Sequence, residues 1–153
     1  MSHLTYIKAD SEDCEMLSKI AKHSKQNWGY PIDRMLLWND DLTLTSDYIS
    51  QNHVYKIYDQ SQLIGFYSII DGEIPEVDHL WLTPENQRKG YGSSVFAQIR
   101  KTIQQLGKPV FQLIAEPHAK GFYDKMNGIA KSRFESKIPG RFLEIYEFNT
   151  SPN

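Results

Sequence analysis

The stretch ENQRKGYGSSVF, residues 85–96, contains residues whose types and spacing could do chemistry. Two basic residues precede Gly90, one aromatic residue separates it from Gly92, and two serines follow before an apolar helical pattern begins. Glycines at a helix entrance leave backbone amides unpaired at the positive end of the helix dipole, where a phosphate group can bind. The stretch therefore predicts a tight turn, a nucleotide loop or a cradle for another anion.

Two nucleotide-binding motifs do not fit this loop. A Walker loop requires Gly-Lys-Ser/Thr after its glycine run, whereas two serines follow Gly92. A Rossmann fingerprint requires a third glycine three residues later, where this sequence has Val95, and an acidic residue about 20 positions further on. A plain strand-to-helix turn that needs glycine stays open beside the anion cradle.

The residues that usually bind metals are scattered along the chain. The five histidines, at positions 3, 23, 53, 79 and 118, show no spacing typical of ligands. Cys14 is the single cysteine, which excludes an intramolecular disulfide and a CxxC metal site. We therefore expect no metal.

The loop must be positioned by the elements on either side of it. A strand is predicted over 73–82, and apolar residues at helical spacing predict a helix from Tyr91 to about Leu106. Side chains of the strand divide between two faces because successive residues point in opposite directions. One face carries Glu76, Asp78, Leu80 and Leu82, and the other carries Val77, His79 and Trp81.

The rest of the chain mixes strand and helix patterns, which predicts an α/β domain. Further strands are predicted over 4–9, 53–59, 62–71 and 110–115, with a closing hairpin of 129–138 and 141–148. Further helices are predicted from Asp10 to about Ser24, once or twice within 32–51 with Thr45 or Ser46 as a cap, and over 118–126.

Length and charge limit the classes of function. The 153 residues suit one domain over 1–153. A net charge of −2 and a pI near 6.2 predict no electrostatic recruitment to nucleic acid or to an anionic membrane. The segment MSHLTYIKAD lacks the build of a signal peptide, and no apolar run approaches ~18 residues, so we expect a cytoplasmic protein.

The loop and its neighbours resemble the GNAT superfamily of acyl-CoA-dependent N-acyltransferases, in its small single-domain bacterial form. EVDHLWLTPEN precedes QRKGYG, and AKGFYDKMNG follows later in the chain. These parts stand in the order that the family shows, and the likeness extends over nearly the whole chain. The resemblance implies an α/β (α+β) GNAT fold, with a central mixed, mostly antiparallel, splayed sheet of about six to seven strands and about four flanking helices.

The resemblance also implies that acetyl-CoA is the acyl donor and that the loop amides hold its pyrophosphate. Gly90 and Gly92 would be glycine because a β-carbon would block the phosphate or the turn. Arg88 and Lys89 add positive charge in this interpretation, or are solvated loop residues in the alternative one. The implied cofactor contacts are Leu80, Trp81 and Leu82 through their main chain, and Gln87, Arg88, Lys89, Gly90, Tyr91, Gly92, Ser93 and Ser94.

Tyr123 matches the position at which many family members carry a tyrosine near the thioester sulfur. The resemblance implies that it protonates the leaving thiolate. A phenol of pKa ~10 can protonate a thiolate whose thiol has a pKa of ~8.5, only mildly uphill. The alternative is a core aromatic residue on an amphipathic helix.

Two positions depart from the family pattern. Many members have asparagine where this chain has Glu116, which puts that cofactor contact in doubt. The glycine that usually ends the short helix is replaced by Asn127, followed by Gly128. Asparagine tolerates a left-handed helix cap, so we expect the second change to be conservative.

A base is needed if the acceptor amine carries a high pKa. Deprotonation at pH 7 costs about 4.6 kcal/mol for a lysine-like amine of pKa ~10.4, but only about 1.4 kcal/mol for an α-amine of pKa ~8. The resemblance places a base glutamate at Glu76, and Asp78 on the same face is the second candidate. Repulsion between the two carboxylates could raise one pKa. His79 is a weaker candidate, since a buried histidine is usually structural.

The segment between the first two strands shapes the acceptor site in this family. Here Trp28 and Tyr30 are the candidate acceptor contacts, since aromatic rings and nearby carboxylates can hold a cationic amine. Packed helices with solvated aspartates are the alternative.

These observations predict an N-acetyltransferase that transfers an acetyl group from acetyl-CoA to a primary amine of a small molecule or peptide, by direct attack in a ternary complex. The predicted catalytic residues are Tyr123, Glu76 and Asp78. A catalytically inactive CoA-binding sensor or regulatory module, and a nucleotide-binding protein, are the alternatives. A homodimer is plausible because edge strands of such sheets often pair between subunits.

Overall fold

The computed structural model describes residues 3–151, in which the chain forms seven β-strands and five α-helices. The strands are β1 (Leu4–Lys8), β2 (His53–Asp59), β3 (Gln62–Ile70), β4 (Glu76–Leu82), β5 (Val110–Ala115), β6 (Ile129–Glu135) and β7 (Phe142–Asn149). The helices are α1 (Cys14–Gln26), α2 (Ile32–Leu37), α3 (Ser46–Gln51), α4 (Tyr91–Gln105) and α5 (Lys120–Lys125).

The strands form one sheet in the order β1-β2-β3-β4-β5-β7-β6. The pairs β1–β2, β2–β3, β5–β7 and β6–β7 are antiparallel, whereas β4 and β5 are parallel. Across the described residues, the β4–β5 register consists of Glu76 opposite Gln112, whose amide also donates to the Pro75 carbonyl over 2.9 Å. This mixed, mostly antiparallel sheet of seven strands confirms the predicted fold class.

Two predicted boundaries differ from the structure. β4 begins at Glu76 instead of residue 73, because residues 72–74 form a bend and Pro75 has no amide hydrogen for a strand ladder. The helix predicted over 118–126 is a 3₁₀ turn, Pro117–Ala119, followed by α5.

Capping side chains precede two of the three helices before β2. The Asp10 carboxylate accepts the amide of Glu12 over 2.9 Å and forms a capping box with Asp13 before α1. The helical pattern over 32–51 forms two helices, and Thr45 caps the second by accepting the Tyr48 amide over 3.1 Å. Both starts were predicted from the residue types.

The chain divides into two compact units, residues 3–69 with 79–94 and residues 70–78 with 95–151. The boundaries fall inside β3, β4 and α4, so each of these elements contributes residues to both units. The expectation of a single domain over 1–153 stays a prediction.

The core of the first unit lies on α1, β2 and β3. β3 contains a bulge, since Ile57 pairs with Gly65 and Tyr58 with Leu63, which leaves Ile64 as an extra residue. The Ile64 carbonyl accepts the Thr83 amide over 2.9 Å, so this bulge connects β3 to the end of β4. The fully buried side chains of these elements include Leu17, Ala21, Val54, Ile57, Ile64, Phe66 and Ile69.

The core of the second unit is built around aromatic rings. Phe96 of α4 lies 4.9 Å from Phe148 and 5.8 Å from Phe111, measured between ring centroids. Ile99 and Ile103 continue the buried face of α4, as their helical spacing predicts. Aromatic side chains contribute much of the buried apolar area, so this cluster fixes α4 against β5 and β7.

Candidate functional site

The loop before α4 has an unusual backbone. Arg88 and Gly90 have φ angles of 61° and 82°, in the left-handed region. Gln87 has φ −76°, and Lys89 and Tyr91 are not among the positive-φ residues, so the handedness alternates along the loop. Alternation of this kind turns successive amides toward one side and forms a concavity that binds anions.

The amides of this loop are available to a ligand. In the part of the chain that the structure describes, no backbone hydrogen bond outside the helices and strands is donated by residues 88–90. Tyr91, Gly92 and Ser93 form the first turn of α4, where amides have no partner within the helix. The geometry thus fits a pyrophosphate, and this loop is the candidate cofactor site.

Gly90 is required by its backbone angle. A β-carbon at this position would meet no atom within 4 Å, so protein atoms do not crowd it. Its φ of 82° is nevertheless a conformation that residues with a side chain rarely adopt. Arg88, Lys89, Ser93 and Ser94 are exposed, as groups beside a ligand would be.

Hydrogen bonds hold the loop at both ends. The Gln87 side-chain amide donates to the Leu82 carbonyl over 3.0 Å. At the other end, the Tyr91 hydroxyl donates to the carboxylate of Asp59. One turn later, the Tyr6 hydroxyl donates to the Ser94 carbonyl over 3.4 Å.

The main-chain carbonyls of β4 point alternately toward β3 and away from it. A β-carbon on Gly65 would lie 2.0 Å from the Trp81 carbonyl oxygen, so that carbonyl faces β3. The Leu82 carbonyl accepts from Ser24 Oγ over 3.3 Å and from Gln87, and faces away from β3. Because main-chain direction alternates along a strand, Leu80 shares the side of Leu82. Main-chain contacts with a cofactor are thus expected from Leu80 and Leu82 more than from Trp81.

His79 is a structural histidine. It is buried, and its Nδ1 accepts a hydrogen bond from the Trp81 indole over 3.0 Å, which leaves the proton on Nε2. Its ring packs against Tyr48 and Phe66 at centroid distances of 6.0 and 5.6 Å. This surrounding favours the structural interpretation over a catalytic base.

Glu76 and Asp78 lie on the same face of β4, as predicted. Glu76 is half-buried and Asp78 is exposed, while Val77 between them is buried. Burial raises the pKa of Glu76, and the negative charge of Asp78 raises it further. The expected repulsion is therefore present, but desolvation is the larger cause.

Tyr123 lies in α5 with its ring inside the aromatic cluster. Its exposed fraction is 7%, and its ring centroid lies 6.2 Å from those of Tyr146 and Phe148. Burial, with the negative charge of Glu116, strongly raises the pKa of its hydroxyl.

The end of α5 fixes the backbone of Tyr123. Asn127 has φ 68°, and the amides of Asn127 and Gly128 donate to the carbonyls of Asp124 and Tyr123 over 3.1 and 3.0 Å. This is a Schellman motif, and it confirms the expected left-handed cap at Asn127. Arg100 Nη2 adds a hydrogen bond to the Met126 carbonyl over 2.6 Å.

Gly128 is glycine for a different reason. A β-carbon there would lie 2.6 Å from the Phe148 ring and 2.7 Å from the Tyr146 ring. The left-handed cap and the close approach are thus carried by consecutive residues, Asn127 and Gly128.

Glu116 follows β5 at the position where the family often has asparagine. Its carboxylate is paired with His118, with 2.9 Å between Oε1 and Nδ1. The pair occupies the segment just before α5, where the charge of Glu116 acts on Tyr123.

The proposed acceptor aromatics are half-buried, but one of them already faces a cation. Lys25 Nζ lies 5.6 Å from the ring centroid of Tyr30 and 4.1 Å from that of Trp38, which itself packs on Tyr30 at 4.8 Å. Trp28 is also half-buried. The sequence indicated an aromatic site for a cation, and the structure places the chain's own lysine there.

The candidate residues fall into two groups. Trp28, Tyr30, Leu80–Leu82 and the loop over 87–94 belong to the first unit, and Glu76, Asp78 and Tyr123 belong to the second.

Sequence reasoning missed Ser24, Asp59 and Arg100. Each acts by a hydrogen bond to a residue far along the chain, and no local pattern marks such a partner.

Within residues 3–151, no three or more His, Cys, Asp or Glu residues are grouped so that they could hold a metal ion. No helix in that range has both the length and the apolar character needed to cross a membrane.

Solved structures match this fold closely. PaiA N-acetyltransferase from Thermoplasma acidophilum, determined with coenzyme A, is 20% identical with a TM-score of 0.74, covering 97% of this chain and 100% of that one. A GCN5-related N-acetyltransferase from Rhodopseudomonas palustris is 19% identical with a TM-score of 0.79, covering 97% of both chains. Spermidine N-acetyltransferase from Vibrio cholerae, determined with CoA and spermine, is 18% identical with a TM-score of 0.70, covering 96% and 95%. At these identities the likeness shows the fold.

The sequence itself identifies the family. No curated protein matches the chain. The family described as acetyltransferase (GNAT) domain matches residues 40–131, which is more than half of the chain. This match confirms the enzyme class expected from the loop and its neighbours. The chain belongs to the GNAT family of acetyltransferases.

Proposed function

We propose that the protein transfers the acetyl group of acetyl-CoA to a primary amine of a small molecule or peptide, by direct attack in a ternary complex. The observation that carries this proposal is the loop over 87–92, whose backbone alternates in handedness and whose amides at 88–90 donate no backbone hydrogen bond, which fits a pyrophosphate. Membership of the GNAT family supports the same donor.

The cofactor contacts follow from the loop and from β4. Amides from Gln87 or Arg88 through Gly92 bind the pyrophosphate, with the side chains of Arg88 and Lys89 adding positive charge. Ser93 and Ser94 lie beside this site. The main chain of Leu80 and Leu82 binds the pantetheine arm. Trp81 lies between them, and its main chain contributes less to this contact.

Two side chains move protons in the proposed reaction. Acetyl-CoA is the donor substrate and supplies the acetyl group. Glu76, directly or through a water molecule, takes a proton from the amine, and Asp78 is the second candidate for this role. Tyr123 returns a proton to the sulfur as the carbon–sulfur bond breaks and the carbon–nitrogen bond forms. The raised pKa of Tyr123 keeps the hydroxyl protonated, and it also makes proton transfer to the thiolate more uphill than for a free phenol.

The acceptor is proposed only by class. Trp28 and Tyr30 are its candidate contacts, and a structurally similar enzyme from Vibrio cholerae was determined with spermine, which is an amine. Lys25 already faces Tyr30 and Trp38, so an amine there would have to share or displace that contact. A cytoplasmic location, where acetyl-CoA is available, and a homodimer belong to the same proposal.

Calorimetric titration with acetyl-CoA, CoA and ATP tests the donor. Micromolar binding of acetyl-CoA and CoA, without comparable binding of ATP, is expected. Gly90→Ala should weaken CoA binding about tenfold, since a left-handed alanine costs about 1–2 kcal/mol. Gly140→Ala is the matched control because Gly140 has φ 80° and equally open surroundings outside the loop.

Turnover with a panel of amines separates the enzyme from the inactive alternative. Acetylation of any amine, measured by release of free thiol, supports the proposed reaction. CoA binding without turnover on a broad panel would favour a binding module, and absence of CoA binding by folded protein would overturn the cofactor assignment.

A further inference from the structure

The first residue of α4 is tied to the end of a distant strand. The Tyr91 hydroxyl donates a hydrogen bond of 2.5 Å to Oδ2 of Asp59, the last residue of β2. The two residues are 32 positions apart in the chain. Both belong to the first unit, and the bond is partly buried.

The loop that ends at Tyr91 needs such support. Arg88 holds a left-handed backbone although it has a side chain, and this conformation is less stable than the right-handed one. Strained backbone of this kind persists only where the surroundings determine it. The open space around Gly90 shows that packing against that residue does not supply the constraint.

Side-chain hydrogen bonds supply it instead, one at each end. Gln87 bonds to the Leu82 carbonyl where the loop begins, and Tyr91 bonds to Asp59 where it ends. The residues between these anchors, 88–90, are exposed and belong to the candidate anion site.

We propose that Asp59 is a positioning residue, which through Tyr91 fixes the entry of α4 and thereby the direction of the loop amides that bind the pyrophosphate. This inference rests on the proposed function. Asp59 does not touch the reacting atoms, so its effect falls on cofactor affinity and leaves the chemical step unchanged.

The charge of Asp59 allows a sharp test. A carboxylate close to an anion site repels the anion, so by charge alone Asp59 would weaken cofactor binding. By holding Tyr91 and the loop in place, however, Asp59 would strengthen cofactor binding. Asp59→Asn separates the two effects because the amide oxygen still accepts from Tyr91 while the charge is removed.

The experiment measures the Kd for CoA and the kcat of Tyr91→Phe, Asp59→Ala, Asp59→Asn and the Tyr91→Phe/Asp59→Ala double variant. Tyr91→Phe and Asp59→Ala should each weaken CoA binding about tenfold. In Asp59→Ala, which changes no residue of the cofactor site, kcat at saturating acetyl-CoA should stay unchanged. The double variant should be no weaker than either single variant, because both remove the same bond. Asp59→Asn should bind CoA at least as well as the wild type.

Tyr146→Phe is the matched control, since the Tyr146 hydroxyl donates to the Asp124 carboxylate over 2.8 Å in the second unit. It should leave the Kd for CoA unchanged. Equal Kd for wild type and Tyr91→Phe, or additive losses in the double variant, would overturn the positioning role. A wild type that does not bind CoA would instead overturn the proposed function, and circular dichroism confirms that each variant is folded.

Discussion

Tyr123 holds its proton more tightly than a free phenol because burial and the charge of Glu116 both raise its pKa. A phenol in this state can donate a proton but cannot serve as a base. Its high pKa also makes donation uphill, so the step depends on a thiolate forming close to the hydroxyl. The hydrogen-bonded pair of Glu116 and His118 lies on the segment leading into α5. The difference from the usual family asparagine is therefore electrostatic.

Removal of the Tyr123 hydroxyl should slow catalysis with little effect on folding. In Tyr123→Phe we expect kcat to fall about 100-fold, the scale of one general acid, with little change in the KM for acetyl-CoA. The phenylalanine ring retains the aromatic contacts. Steady-state kinetics of free-thiol release measure the effect, and Tyr146→Phe controls for loss of another phenol in the same cluster. An unchanged kcat would show that the proton comes from elsewhere.

The raised pKa of Glu76 predicts the pH dependence of catalysis. As a base, Glu76 acts only when ionised, so kcat/KM should rise with pH through its pKa, which lies above the usual glutamate value. Glu76→Gln should remove this rise and lower kcat about 100-fold at pH 7. Asp78→Asn should move the rise to lower pH because it removes the repulsion. A profile identical to that of the wild type in both variants would exclude the carboxylate pair.

Glu76 should also make the stability of the fold depend on pH. A carboxyl whose pKa is raised by folding stabilises the fold below its unfolded pKa, and this contribution is lost as pH rises through the folded pKa. Glu76→Gln should therefore unfold at a higher temperature than the wild type near pH 7, and the difference should vanish near pH 4.

At the scale of elements, β3 sets the position of β4 through one glycine. The β-bulge at Ile64 and the absence of a side chain at Gly65 let the Trp81 carbonyl approach closely. Bulges of this kind re-aim neighbouring residues. In this molecule the re-aimed segment leads directly into the loop.

Gly65→Ala should displace that segment. A β-carbon 2.0 Å from the Trp81 carbonyl forces the backbone to move, at a cost of about 1–3 kcal/mol. We expect the melting temperature to fall by about 2–10 °C and CoA affinity to fall with it. Gly72→Ala is the control, since its β-carbon would make an ordinary contact at 3.9 Å. Unchanged CoA binding in folded Gly65→Ala would show that β4 does not contact the cofactor.

Sequence patterns predicted the helices and strands well because neighbouring residues determine where these elements form. Alternation located β2, β3 and the faces of β4, and the cap at Thr45 located α3. The loop was found from two glycines and its context. The left-handed Arg88 was not predicted, because nothing in an arginine indicates that conformation.

The unpredicted parts of the site depend on distant residues. Asp59 meets Tyr91, and Lys25 meets Trp38, only after the chain has folded. A sequence pattern showed aromatic residues suited to a cation, but it could not show that a lysine of the same chain faces them. Roles that depend on such pairings require the structure.

At the scale of the whole molecule, neither compact unit is a continuous piece of chain. β4 and α4 each run from one unit into the other, so unfolding of either element removes residues from both. Independent unfolding is therefore unfavourable.

Differential scanning calorimetry should show one transition, whose calorimetric and van't Hoff enthalpies agree. Acetyl-CoA at 100 times its Kd should stabilise the fold by about 2.7 kcal/mol, which raises the melting temperature by about 5–10 °C for a chain of this size. Two transitions, with one insensitive to acetyl-CoA, would contradict the expectation of a single domain.

The edge strand β6 affects how the protein behaves in concentrated solution. Every residue of β6 is exposed, including Ile129 and Phe134, and the strand has β7 as its neighbour at the end of the sheet. Such an edge would invite aggregation, but β6 carries Lys131 and Arg133, and its register with β7 shifts at Lys131. Two copies that joined along β6 would bring these cations together. The protein should therefore stay dispersed at low salt and lose this colloidal protection as salt screens the charges, and a homodimer would use another surface.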